Sequence, residues 1–169
     1  MGTRGRQIVG MDVDQLLAAL NSAYADEWLA YHQYWLGAKL AKGPLRGQLV
    51  AEMEEHAEEE MKHLLLLAER ILQLGGTPLL TPGSWMDESD CGYTPPENPI
   101  AQELLDENIE AERCAIDAYN RLAAMTKDTD PATYRIAVEI LRDEIEHEEN
   151  LETLKEDLHL LHPQADGSP

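Results

Sequence analysis

No stretch of this sequence is apolar enough to span a membrane: uninterrupted apolar runs such as Leu64 to Ala68 fall far below the roughly 18 residues a bilayer crossing takes. The N-terminus has no apolar stretch behind Arg4 and Arg6, so no secretion leader is expected. Cysteine is scarce. Cys91 and Cys114 are the only two, too few for the disulfide framework of a secreted mini-domain, and they lack the C-x-x-C spacing of a zinc or rubredoxin-type iron site. A reducing cytoplasm is the expected compartment. Basic residues are few as well, 13 against 33 acidic ones, for a formal charge of −20. Such a field repels phosphate backbones and attracts cations, and Arg4 and Arg6 cannot offset it, so DNA coating is not expected. Acidic balance alone is also what an ordinary solvated surface gives. Alternation of β-branched residues is absent, which excludes a sheet.

What is present is helix-forming sequence divided by a few Pro and Gly clusters, so the fold class expected is all-α. The 169 residues suit a single domain: a short tail over 1–11, a bundle over 12–161 and a polar tail over 162–169. A first helix is expected to open at Asp12, whose carboxylate caps free amides with Gln15 completing a capping box, and to run to about Lys42. Gly43 and Pro44 make a turn, and a second helix follows from about Leu45 to Leu74, closed by Gly75 and Gly76. Residues 75–97 show no period and read as a crossover along the bundle. Asn98 with Pro99, and Asp130 with Pro131, mark the starts of a third and a fourth helix. The fourth fades near Leu161, and no fifth helix is expected after it. Two antiparallel hairpins joined by one long crossover is the topology of ferritin-like four-helix bundles.

Within this plan the chemistry repeats. Helix two carries Glu60-Met61-Lys62-His63 and helix four Glu144-Ile145-Glu146-His147, each placing a carboxylate and an imidazole on one face a turn apart, where they can share a metal. Glu156 with His159 repeats the spacing and reads as accidental. Helix one has Glu27 and then Tyr34, helix three Glu112 and then Tyr119, in both cases seven residues apart and on one face. Facing hairpins bring four carboxylates and two imidazoles to mid-bundle, the arrangement of di-iron or di-manganese carboxylate sites. Hard oxygens with only two nitrogens suit iron(II) or manganese(II), and four carboxylates balance two divalent ions. Without metal, inward-pointing glutamates would repel one another in a low-dielectric interior.

At these residues the chain resembles bacterioferritin, in Glu60-Met61-Lys62-His63 and in Glu139-Ile140-Leu141-Arg142-Asp143-Glu144. The resemblance implies that Glu27, Glu60, His63, Glu112, Glu144 and His147 bind two iron ions, with Glu60 and Glu144 as bridges, and that Tyr34 lies just outside the ligand set. Glu107 and Glu110 are alternatives to Glu112, which is preferred for its spacing to Tyr119 and because helix three then aligns without a gap. The missing fifth helix, with Cys91 in the crossover and Cys114 two residues after Glu112, is similar to the Dps-like branch called thioferritins. That likeness implies a cage of twelve subunits, hydrogen peroxide as favoured oxidant, and a redox-sensitive cysteine pair. The residues by themselves leave two unrelated cysteines open. Cys114, about 200° around the helix from Glu112, is expected to face away from the metals.

Met61 matches the haem-ligating methionine of bacterioferritins, but methionine at helical spacing is more often core filler, and haem is not expected. His56 falls near the metal face and either lines an iron access path or is an ordinary helix-surface group. His32, His159 and His162 have no partner legible in the sequence. Trp28 and Trp35 read as core or interface aromatics. The function expected is therefore a ferroxidase that oxidises iron(II) with hydrogen peroxide or dioxygen and stores it in a cage. The alternatives are a di-metal peroxidase or manganese catalase that stores nothing, and a structural DNA-protecting shell protein.

Overall fold

The computed structural model describes residues 3–161, all-helical among those described. The six helices are α1 (Thr3–Gln7), α2 (Val13–Leu40), α3 (Arg46–Gln73), α4 (Pro82–Glu88), α5 (Ala101–Thr126) and α6 (Pro131–Leu161). The four long ones pair as two antiparallel hairpins, α2 with α3 and α5 with α6, in the expected ferritin-like bundle. No described helix is long and apolar enough to cross a membrane. The expected absence of a helix after Leu161 falls outside the described residues.

Local chemistry accounts for most helix ends. Asp12 caps α2, accepting from the amides of Asp14 and Gln15 at 2.8 and 3.0 Å. The α3 terminus closes with Gly75 at φ +81°, its N–H bonded to the Leu72 carbonyl and that of Gly76 to the Ile71 carbonyl. This doubly bonded stop needs a left-handed residue that glycine adopts without strain. Asp130 precedes α6 with Pro131 in the first helical position, where its missing N–H costs nothing.

Two expectations require correction. The third long helix begins at Ala101, with Ile100 as its cap residue and no side-chain capping bond, rather than at Pro99. The Pro99 carbonyl instead accepts from Lys42 N–H, and the Lys42 carbonyl accepts from Ala101 N–H; this bridge to the α2–α3 turn holds Ile100 extended and outside the helix. The crossover, read as structureless, contains α4. Pro82 starts this short helix, and Trp85 within it stacks on Trp28 of α2 at 4.5 Å between ring centroids.

The apolar core is split in two. One cluster gathers Leu49, Met53, Leu104, Leu105, Ile109 and Leu151 towards one end; the other gathers Leu16, Leu20, Leu67, Ile71, Leu122 and Ile140 towards the opposite end. Between them lies a layer of buried polar side chains.

Candidate metal centre

That layer comprises Glu27, Glu60, His63, Glu112, Glu144 and His147, each no more than 2% exposed. One long helix supplies each of Glu27 (α2) and Glu112 (α5), while α3 and α6 each supply a Glu and the His one turn on. The six fall into two groups whose donor atoms lie within 4.8 Å of one another. Glu27, Glu60, His63 and Glu144 form the first; Glu60, Glu112, Glu144 and His147 form the second. Glu60 and Glu144 belong to both. Glu107 and Glu110, the neighbouring acids on α5, belong to neither group, and Glu110 turns outward to Arg113. Glu156 and His159 lie on the surface, where the His159 ring meets the Gln102 side-chain oxygen at 3.1 Å.

Four donor atoms of these six residues are buried without any hydrogen bond: one oxygen each of Glu60, Glu112 and Glu144, and Nδ1 of His147. Unpaired buried polar atoms are costly, and their convergence on two points is what a pair of cations would relieve. The donor set fits iron(II) or manganese(II).

Electrostatics point the same way. Burial raises the carboxyls of Glu60 and Glu112, and the Glu144 charge adds to both; Glu112 reaches about 7. Burial also opposes ionisation of Glu27, yet the charge and hydrogen bond of His63 outweigh it and bring this group below its ordinary value. Both imidazoles are disfavoured as cations by burial, but the carboxylates around them win and raise His63 and His147. The carboxylates thus favour the protonated imidazoles, and a cation bound through the ring nitrogens would displace those protons.

The tyrosines form a crossed pattern. The Tyr34 hydroxyl donates to Glu112 on the other hairpin, and the Tyr119 hydroxyl donates to Glu27, so each fixes the carboxylate of the opposite half rather than its own. Sequence reasoning missed two further residues. Asp143 meets His63 Nε2 at 3.4 Å, and Glu59 meets His147 Nε2 at 2.8 Å, again across the hairpins. Carboxylates behind imidazoles orient the ring and make its free nitrogen a better ligand. Their signal was available, since both helices read acid-Glu-x-x-His: Glu59-Glu60-Met61-Lys62-His63 and Asp143-Glu144-Ile145-Glu146-His147.

Cys91 and Cys114 form a disulfide, and neither joins a metal-capable group among the described residues. The Asp26 carboxylate of α2 anchors the loop, accepting from the Ser89 hydroxyl and from Cys91 N–H. The sequence allows the crossover that carries Cys91 to pass over the outer face of the third long helix, but Cys91 lines a narrow cleft together with Glu27, Glu60, Glu112 and Glu144. The crossover folds against the seam between α2 and α5 instead of passing over the outer face of α5. Closing a loop across 23 positions is worth about 3 kcal/mol in restricted unfolded chain. Met61 is half-buried and borders a groove of about 520 Å³ with Tyr31, Trp35 and Lys39, away from the carboxylate layer.

Comparison with known proteins settles the family: a ferritin-like domain matches residues 17–161. The chain belongs to the ferritin-like family. It is 37% identical over 148 residues to the DNA protection during starvation protein of Pyrococcus furiosus, covering 86% of this chain and 79% of that one. Among solved structures it is similar to the dodecameric thioferritin of Bacteroides fragilis, a bacterioferritin-related protein, with a TM-score of 0.95, 38% identity and coverage of 98% and 100%. Dps from Thermosynechococcus elongatus shares the fold, with a TM-score of 0.79 at 22% identity over 83% of this chain and 90% of that one.

Proposed function

We propose that this ferritin-like chain is a ferroxidase that takes two iron(II) ions as substrate, passes their electrons to hydrogen peroxide and stores the iron(III) inside a cage of twelve copies. The observation that carries the reading is the sharing of Glu60 and Glu144 by two adjacent four-residue donor groups. Each ion would meet one terminal Glu, one His and both shared carboxylates: Glu27 and His63 on one side, Glu112 and His147 on the other. Tyr34 and Tyr119 hold the terminal carboxylates, and Glu59 and Asp143 hold the rings. Each iron(II) gives up one electron. One peroxide accepts both, its O–O bond breaks, and with two protons it leaves as two waters; dioxygen is the slower oxidant. Manganese(II) fits the same donors. Cys91 and Cys114 serve as a redox-sensitive pair at the cleft, exchanging with thiol reductants of the cytoplasm. Protection of DNA, the role in the name of the Pyrococcus relative, would come here from removing iron and peroxide, because a net charge of −20 opposes coating a polyanion.

Anaerobic titration with iron(II) tests this, followed by separate additions of peroxide and oxygen. Saturation at two ions per chain is expected, then rapid oxidation by peroxide and growth of mineral-loaded particles. Iron that oxidises no faster than in buffer would overturn the assignment, and retained metal without mineral would favour a peroxidase. Support for a twelve-subunit cage comes from the dodecameric Bacteroides relative and from the preference of homo-oligomers for closed point-group symmetry. Light scattering should give about twelve times the 19.0 kDa chain mass; a monomer or dimer at working concentration would contradict it.

A further inference from the structure

His56 lies on α3 one turn before Glu60 and is 1% exposed, yet neither of its ring nitrogens makes a hydrogen bond. A neutral imidazole carries one donor and one acceptor, and leaving each buried and unpaired is costly, whereas burying an apolar side chain there would stabilise the fold. The surroundings explain what the ring is aimed at. Its Nε2 stands 3.2 Å from Glu52 Oε1, and that carboxylate is 24% exposed at the surface. On its inner side the ring stacks on His147 at 4.0 Å between centroids, and Tyr34 meets it edge-on at 5.0 Å. A His56 nitrogen, a Glu112 oxygen and a His147 nitrogen lie within 4.8 Å of one another, a third group with metal-ligand spacing.

We propose that His56 and Glu52 form a third divalent-cation position, beside the paired site and open to the surface through Glu52. Imidazole nitrogen with carboxylate oxygen suits iron(II), cobalt(II) or zinc(II), and water reaching the partly exposed Glu52 completes the coordination. Glu112 and His147 belong both to the group that contains His56 and to the paired site, so His56 stands between Glu52 and the pair. Glu52, His56 and Glu112 thus line a route from surface to pair distinct from the cleft bordered by Cys91. The inference adds to the proposed function, since it rests on the pair being a metal site.

The test uses the intact assembled protein and cobalt(II) under anaerobic conditions, with stoichiometry from calorimetry and native mass spectrometry and positions from anomalous diffraction. Three ions per chain are expected in the wild type, one of them within bonding distance of His56. H56L and E52Q, with helicity checked by circular dichroism, should each bind two. Two ions in the wild type with none at His56 would overturn the third position while leaving the pair intact, and would mean that His56 is satisfied by water. Three ions retained in both variants would overturn it equally. Absence of cobalt at Glu60 and Glu144 would instead strike the proposed function itself.

Discussion

Replacing both Glu60 and Glu144 by alanine is expected to abolish rapid iron oxidation while the chain stays helical. These two carboxylates are the ones common to both donor groups, so each ion loses two oxygens at once and is left with one Glu and one His. Loss of groups that merely orient a ligand costs 10- to about 100-fold, so removal of the shared ligands should exceed about 100-fold in the fast phase. A second readout separates the role from simple damage. In the metal-free protein burial and acidic neighbours raise Glu60, whereas at Glu144 burial is outweighed by the hydrogen bonds of His147 and His63, which bring the group below its ordinary value. The metal-free melting temperatures of wild type and double variant are therefore measured side by side as the baseline. Adding cobalt(II) should raise the melting temperature of the wild type, because a ligand bound only by the folded state stabilises it, and should raise that of the variant by much less. An unchanged oxidation rate in stopped-flow absorbance would sink the metal assignment.

Arg70→Ala should cost about 3–5 kcal/mol of stability, the range for breaking a buried ion pair and stranding its partner. Arg70 on α3 is 4% exposed and Asp130 at the head of α6 is fully buried. The guanidinium reaches the Asp130 carboxylate at 2.6 Å and the Thr133 hydroxyl at 2.8 Å, tying the end of one hairpin to the start of the last helix. The pair also carries a pH signature. Burial pushes the Asp130 carboxyl up, but the Thr133 hydroxyl and Arg70 together bring it below its ordinary value of 3.8. A depressed carboxyl stabilises the fold fully above that value and loses its contribution as pH falls through the lower folded one. The difference between wild type and Arg70→Ala in chemical denaturation should therefore be largest near neutrality and shrink in strong acid. A loss below about 1 kcal/mol would show the pair to be as weak as a surface one.

The sequence displays those parts of the fold and site that short-range chemistry controls. Asp12, Gly75 with Gly76, and Asp130 with Pro131 mark helix ends because capping and left-handed turns are decided within a few residues. The repeated Glu-x-x-His is visible because two ligands one turn apart share a face. Interactions between distant segments left less trace. The start of α5 moved to Ala101 because Lys42, far away in the chain, bonds to Pro99 and Ala101. Helix α4 was hidden because it is short, and the Trp28 face that Trp85 stacks against belongs to another helix. Tyr34 and Tyr119 were legible as neighbours of the site, but their crossing was not, since spacing along one helix says nothing about which facing carboxylate a hydroxyl will reach.

That crossing governs the order in which the protein can be made. The first donor group draws on α2, α3 and α6, and the second on α3, α5 and α6, so neither hairpin owns a complete set. Both Tyr–Glu bonds likewise need both hairpins. A half-synthesised chain that has finished only α2 and α3 offers Glu27, Glu60 and His63 and nothing to close around an ion. On the proposed function, metal capture would therefore follow the docking of the two halves.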